Sequence, residues 1–249
     1  MTKYLNINDI DAPIYRVFTA DRFIEMFETK KLVLVKPELW DDPFDNFLLK
    51  GRYNLGGESL SFRGLVKDFY GQCWSLNYES DAMWRIYAPE KNGVKVKTTI
   101  KRLSESIYDS NNEFASMSYY IGKVVYLEEE IRKRFADPKY SSAIVFDSSG
   151  TGHAQTLLMK RVAFEHEKEI RLIYRVTQGT REIVDENQKL IKFDIEPNSL
   201  FDEIVFDPRM TEQDFTRCSQ KVRELGFTKN ITQSTLYQVP DLTINIEFD

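Results

Sequence analysis

The spacing of apolar residues changes period several times along this chain, and each change predicts a new element. IYRVF (14–18) reads as a strand. In ADRFIEMFETK (20–30), Phe23, Met26 and Phe27 recur at helical spacing, which predicts an amphipathic helix. KLVLVK (31–36) returns to strand. WDDPFD (40–45) predicts a turn, because Pro43 restrains Asp42 and Asp side chains bond nearby amides. QCWSL (72–76) predicts a strand, and SDAMWRIYA (80–88) a helix with Ser80 as its N-cap. GVKVKTT (93–99) predicts a strand and then a short helix; YIGKVVYL (120–127) predicts a strand, and HAQTLLMKRVAF (153–164) a helix. EIRLIYRV (169–176) and KLIKFDI (189–195) read as the arms of a hairpin. FDEIVFD (201–207) is a further strand, and residues 211–227 a helix with Gly226 at its C-terminal end. The tail favours strand. The polar stretches 104–118 and 137–152 predict surface loops.

No internal repeat, low-complexity tract or linker interrupts the pattern, so a single domain over 1–249 is expected. Its fold class is α+β, a mixed or antiparallel sheet with short flanking helices. Trp84 and Tyr87 lie three apart in a predicted helix. Trp84 reads as a core contact, and Tyr87 reads equally as core or pocket wall.

Composition narrows the chemistry. No apolar run approaches the ~20 residues of a membrane helix, and MTKYLNINDIDAP lacks the pattern of a signal peptide. A cytoplasmic location without membrane attachment is expected. Cys73 and Cys218 match neither a disulfide framework nor a metal motif, and the chain has two histidines, His153 and His166. No bound metal is expected, which leaves only a carboxylate-held Mg²⁺ open. The net charge of −5 argues against stable non-specific binding to nucleic acid.

Three stretches carry candidate chemistry. In FEHEKEIRLIY (164–174), an extended strand places Glu165, Glu167, Glu169 and Arg171 on one face. By itself this run reads as a solvated strand edge with a Glu169–Arg171 ion pair; a ligand that relieves the like charges is the other reading. Arg16, inside a short apolar strand, either snorkels to an edge or presents its guanidinium fork to a phosphate or carboxylate. Ser75 lacks the G-x-S-x-G turn of a hydrolase nucleophile, which leaves it to orient other groups.

The order of the three resembles the Arg–Ser–Glu pattern of the ADP-ribosyltransferases: Arg in the first strand, Ser in a central strand, E-x-E opening a late strand. The stretches here are IYR, CWSL and EKEIRLI. The usual Ser-Thr-Ser is Trp74-Ser75-Leu76 in this chain. The set YR…DDPFD, CWSLNYES…MWRIYA…GVKV and E-x-E-x-R, nearly chain-wide, is similar to a bacterial family catalogued as domain of unknown function 2971. The resemblance implies a transferase-like fold with NAD⁺ as substrate. It assigns Glu169 to stabilising the ribose cation, Glu167 to accepting a proton and Ser75 to orienting Glu169. Arg16 would hold the pyrophosphate, and Tyr15, Trp74 and Tyr87 would line the nucleotide pocket. It also implies a toxin or phage-defence effector, with an acceptor macromolecule and an antitoxin or regulatory protein as partners. A non-catalytic nucleotide- or protein-binding regulator on the same fold is the alternative. A metal-dependent nuclease built on Asp41, Asp42, Asp45 and the Glu cluster is a third reading.

Overall fold

The computed structural model describes all residues except 41, 43, 44, 46–52, 56, 61–66, 178–183, 186, 188, 248 and 249, and omits the side chains of 53–55, 58–60, 132 and 184. Its strands are β1 (Lys3–Leu5), β2 (Pro13–Thr19), β3 (Lys31–Val35), β4 (Tyr53–Leu55), β5 (Glu58–Leu60), β6 (Phe69–Ser75), β7 (Gly93–Thr99) and β8 (Tyr119–Lys123). They continue with β9 (Val125–Tyr126), β10 (Met159–Lys160), β11 (Glu169–Arg175), β12 (Val184–Asp185), β13 (Leu190–Asp194), β14 (Glu203–Phe206) and β15 (Asn230–Gln233).

Among the described residues, eleven strands form one mixed sheet. Its order is β1-β8-β11-β6-β2-β7-β14-β15, with β3, β13 and β12 branching from β6. The pairs β1–β8 and β14–β15 are parallel; the others in this sheet are antiparallel. Helices cover the sheet, so the fold is α+β. No described helix is long and apolar enough to cross a membrane.

The branch at β6 shapes the molecule. One side of β6 pairs with β11 along its whole length, from Phe69↔Arg175 to Ser75↔Glu169. The other side meets β2 only at Tyr15↔Ser75 and β3 only at Val35↔Gly71. Strands β2 and β3 therefore splay apart, and side chains bond the backbone groups that the open ladder leaves behind. Arg16 Nη1 donates to the Cys73 carbonyl oxygen at 2.6 Å, and Gln72 Nε2 to that of Val33 at 2.9 Å.

Helix Ala20–Thr29 joins the splayed strands and buries Phe23, Met26 and Phe27, the residues whose spacing predicts it. They sit in the main core with Leu34, Trp74, Ile170 and Phe201. A smaller core, with Phe69, Tyr120, Leu158 and Ile173, lies on the opposite face of the central strands. Helix Asp81–Tyr87 packs on β2 through Met83 and Trp84, and Ser80 caps it by accepting the Met83 N–H.

Several expected elements differ. The helix expected over 153–164 is a short helix, Thr151–Thr156, then β10, then a 3₁₀ turn over Val162–Glu167. Pairing decides this: Met159 and Lys160 lie beside Val125 and Tyr126 of β9, which local apolar spacing cannot register. The strand expected over 120–127 is split into β8 and β9. The hairpin expected from 169–176 and 189–195 does not form, because β6 and β8 take both edges of β11 and β13 pairs with β3 instead. Helix Pro138–Val145 occupies much of the expected loop 137–152, started by Pro138 and capped by Asp137. Short helices likewise occupy both ends of the stretch 104–118. After β15 the described tail has no regular structure.

Candidate functional site

The Ser75 register places Tyr15, Ser75 and Glu169 in one row across three adjacent strands. Beside that row is a cavity with about 580 Å³ of empty space, part of it open to solvent. All seven candidate residues border it: Tyr15 and Arg16 from β2, Trp74 and Ser75 from β6, Tyr87 from helix Asp81–Tyr87, and Glu167 and Glu169. Arg16, Ser75 and Glu169 all border it, but the register places Arg16 on the face of the sheet opposite Ser75 and Glu169. Arg16 needs the splay to join them. Strand alternation sends it away from Tyr15, and at the fork its Nη1 bonds the Cys73 carbonyl.

The carboxylates are far from the solvated edge that the charge run suggests. Glu169 is 3 % exposed, and Arg171 is fully buried. Arg171 Nε donates to Glu169 Oε2 at 2.6 Å, Nη1 to the Leu157 carbonyl at 2.7 Å and Nη2 to Asp45 Oδ1 at 2.9 Å. Its guanidinium lies 4.5 Å from the centre of the Trp40 ring. Lys160, 5 % exposed, donates to Glu169 Oε1 and, at 2.7 Å, to Glu167 Oε2. The backbone N–H of Glu169 donates to the Tyr126 hydroxyl at 2.8 Å.

The chain arrives at this cluster differently from the expected continuous strand. Glu167 ends the 3₁₀ turn, Lys168 takes a left-handed conformation (φ 44°), and β11 starts at Glu169. Glu165 is exposed on the turn and outside the cluster. Ser75 also acts otherwise than expected. Its hydroxyl donates to the Glu167 main-chain carbonyl at 2.6 Å and accepts the Asn77 N–H at 3.0 Å, so it pins the turn while Arg171 and Lys160 orient the Glu169 carboxylate.

Electrostatics separates the two glutamates. Burial pushes the Glu167 carboxyl up, and its hydrogen bond to Glu169 adds to the rise. Burial also acts upward on Glu169, but Arg171, the same hydrogen bond and Lys160 outweigh it and hold that carboxyl well below its usual range. Burial acts downward on Lys160, and the two glutamates overcome it, so the ammonium stays charged. The Asp45–Arg171 pair moves in two senses. Asp45 rises because its burial exceeds the attraction of Arg171, whereas Arg171 rises because its carboxylates exceed its burial; the bonded geometry is that of an ion pair. Burial pushes the Cys73 thiol and the Tyr126 hydroxyl up to about 12, so both are neutral at pH 7.

The aromatic candidates divide. Trp74 is buried, with its indole N–H donated to Gln72 Oε1 at 2.8 Å, so it supports the wall and offers little ring surface to a ligand. Tyr87 is 43 % exposed, while burial near Glu167 raises its hydroxyl. Tyr15 meets Tyr78 edge-on, with ring centres 5.4 Å apart. Buried Arg16 Nε has no hydrogen-bond partner among the described residues.

The sequence reading missed Lys160, hidden inside an expected helix, and missed Met83, Ile86 and His166 in the cavity wall. The run TLLMKR carries the only local signal for Lys160, a cation directly after a buried apolar stretch. Asp42 and Asp45 each bond an arginine, Arg161 and Arg171, and no group of three or more metal-ligating side chains occurs among the described residues. Asp41, Pro43 and Phe44 of the expected turn lie outside the described residues.

No curated protein matches the chain. Among solved structures, "Thermus sp. 2.9 DarT in complex with NAD+" superposes with a TM-score of 0.41 at 8% identity, covering 92% of this chain and 98% of that one. "Thermus sp. 2.9 DarT in complex with carba-NAD+" gives 0.38 at 10% identity, over 91% and 97%. "Thermus sp. 2.9 DarT in complex with ADP-ribosylated ssDNA" gives 0.41 at 10% identity, over 94% and 98%. The family match is narrower than the motifs suggest: MWRIYA, GVKV and E-x-E-x-R fall inside it, and YR, DDPFD and CWSLNYES outside. Residues 83–172, from helix Asp81–Tyr87 into β11, match the family described as protein of unknown function (DUF2971).

Proposed function

We propose that this chain is an ADP-ribosyltransferase-like enzyme that uses NAD⁺. The observation that carries the reading is the meeting of Arg16, Ser75 and the Glu167–Glu169 pair at one cavity, from three neighbouring strands and the turn before β11. Breaking the nicotinamide–ribose bond sends its electron pair to the nicotinamide nitrogen and leaves positive charge on the ribose. Glu169, held as a carboxylate, stabilises that charge. Glu167, raised toward neutrality, takes the proton of the attacking acceptor group. The Nε of Arg16 suits a pyrophosphate oxygen, and Tyr87 offers an aromatic face to a flat ring. Ser75 acts through the turn that carries Glu167. The biological setting we infer is a toxin or phage-defence effector that modifies an acceptor macromolecule and is restrained by an antitoxin or regulatory protein.

One observation favours a second reading, a non-catalytic nucleotide- or protein-binding regulator: both Glu169 oxygens are already bonded to cations. Nicotinamide release from NAD⁺, measured with and without candidate protein and single-stranded DNA acceptors, separates the two. An enzyme releases nicotinamide, and Glu169→Gln lowers the rate by about 10² to 10³, the usual cost of removing one such electrostatic group. NAD⁺ binding without release supports the regulator. A Gln variant as active as the parent removes Glu169 from the mechanism.

A further inference from the structure

The cluster behind the cavity holds three carboxylates, Asp45, Glu167 and Glu169, against two cations, Lys160 and Arg171. Two cations cannot neutralise three carboxylates, Asp45 and Glu169 buried and Glu167 partly so, and like charges in a shared site do not all ionise together. One carboxylate must therefore take up a proton most readily. Bonding and position together identify it. Glu169 receives a cation on each oxygen, whereas among the described residues Asp45 and Glu167 receive one cation each, Arg171 Nη2 and Lys160 Nζ. Of these two, Glu167 is the one that borders the cavity.

We propose that Lys160 is a positioning residue of this site: its ammonium, bonded to both glutamates, fixes their relative placement and divides their roles, with Glu169 kept as the permanent carboxylate and Glu167 as the proton carrier. The assignment deepens the transferase reading and takes its chemical meaning from it. As the acceptor bonds to the ribose carbon, that carbon's bond to nicotinamide breaks. The electron pair leaves on the nicotinamide nitrogen, and the acceptor's proton passes to Glu167. Lys160 acts through the two glutamates that it bonds.

The other titratable groups bordering the pair come from each neighbouring element. They are Tyr126 on β9, Cys73 on β6, Tyr87 on helix Asp81–Tyr87 and His166 on the 3₁₀ turn, with Arg16 across the cavity. Burial keeps Tyr126, Cys73 and Tyr87 neutral at pH 7, so none of them replaces the charge of Lys160. The β9–β10 pairing sets Lys160 beside Tyr126, and the Tyr126 hydroxyl accepts the Glu169 N–H. The short parallel ladder thus places two of the three supports of Glu169, Lys160 and Tyr126, and Arg171 of β11 is the third.

The test compares wild type, Lys160→Arg and Lys160→Gln by ¹³C NMR titration of side-chain-labelled glutamates, with Glu167→Gln and Glu169→Gln assigning the signals. In wild type, the Glu167 signal is expected to titrate above the ordinary carboxyl range and the Glu169 signal below it. In Lys160→Gln both midpoints move to higher pH, and the acidic limb of nicotinamide release moves with Glu167. Lys160→Arg restores both. A merely structural lysine lowers the melting temperature and moves neither titration. A folded Lys160→Gln protein with unchanged midpoints overturns the proposal. If that variant does not fold, the ¹⁵Nζ signal of Lys160 in wild type decides: it must shift in step with Glu167, and independence overturns the assignment. Wild-type protein that shows these titrations but releases no nicotinamide refutes the transferase reading and leaves the role of Lys160 standing.

Discussion

Glu167 and Glu169 are two positions apart, yet their surroundings drive them in opposite directions. Glu167 is raised, to about 7, chiefly by burial. In the unfolded chain its carboxyl titrates near about 4.3. A folded value above the unfolded one gives stability that is present at low pH and is lost as pH rises through the folded value. Glu169, depressed by Arg171 and Lys160, has the opposite sign: its stabilisation is present at neutral pH and is lost only in acid. The melting temperature is therefore expected to fall between about pH 5 and 8, and Glu167→Gln to flatten that slope in thermal melts. Asp45, also raised by burial, acts in the same direction, so the slope shrinks and does not vanish. A variant that keeps the full wild-type slope would show that Glu167 does not carry it. Arg171 is the cation shared by Glu169 and Asp45. Its replacement, Arg171→Ala, strands two buried carboxylates and is expected to cost about 3–5 kcal/mol in urea denaturation; a loss below about 1 kcal/mol would mean the cluster is solvated in solution.

At the scale of elements, the site depends on how β6 is shared. Gly71 sits on β6 opposite Ile173, at its single contact with β3. A Cβ there would lie 2.6 Å from the Trp40 ring, the ring that covers the Arg171 guanidinium. Trp40 is half-buried against the smaller core, and its rigid indole gives way only by moving as a whole. Gly71→Ala is expected to displace Trp40 and cost about 1–3 kcal/mol, the range for overpacking. Trp40 fluorescence should shift in the same variant, and a neutral effect on both would mean the ring moves freely. The sequence pattern predicts both strands of the Ser75–Glu169 pair. It does not predict the fork, since periodicity within a strand carries no information about which neighbours take its edges.

Across the whole molecule, charge sets the behaviour toward nucleic acid. A net charge of −5 and a pI of about 5.3 oppose the release of counterions that drives non-specific binding. Fluorescence anisotropy with random duplex DNA at 150 mM salt is expected to show Kd weaker than the ~10⁻⁶ M end of typical non-specific binding. Tight binding under those conditions would require a local basic surface that overrides the total charge.

The order of residues along the chain determined the period-2 and helical-period elements that recur here, including β2, helix Ala20–Thr29, β3, β7 and the long helix Glu212–Glu224. Local spacing dictates which face of each is apolar, and burial follows from that. Sequence order also singled out Arg16, Ser75, Glu167 and Glu169, because chemically specific residues stand out against apolar strands, and the family resemblance added Tyr15. Tertiary structure alone decided that β2 and β3 part at β6, that the Glu run is a turn followed by a buried strand, and that Lys160 stands between two glutamates. Each of these depends on contacts between distant segments: Lys160 enters through β9, Asp45 through Arg171, and Arg16 through the open ladder at Cys73. The charge of an E-x-E sequence is fixed by its letters. Whether those charges face water or a buried cation depends on what the rest of the chain packs against them.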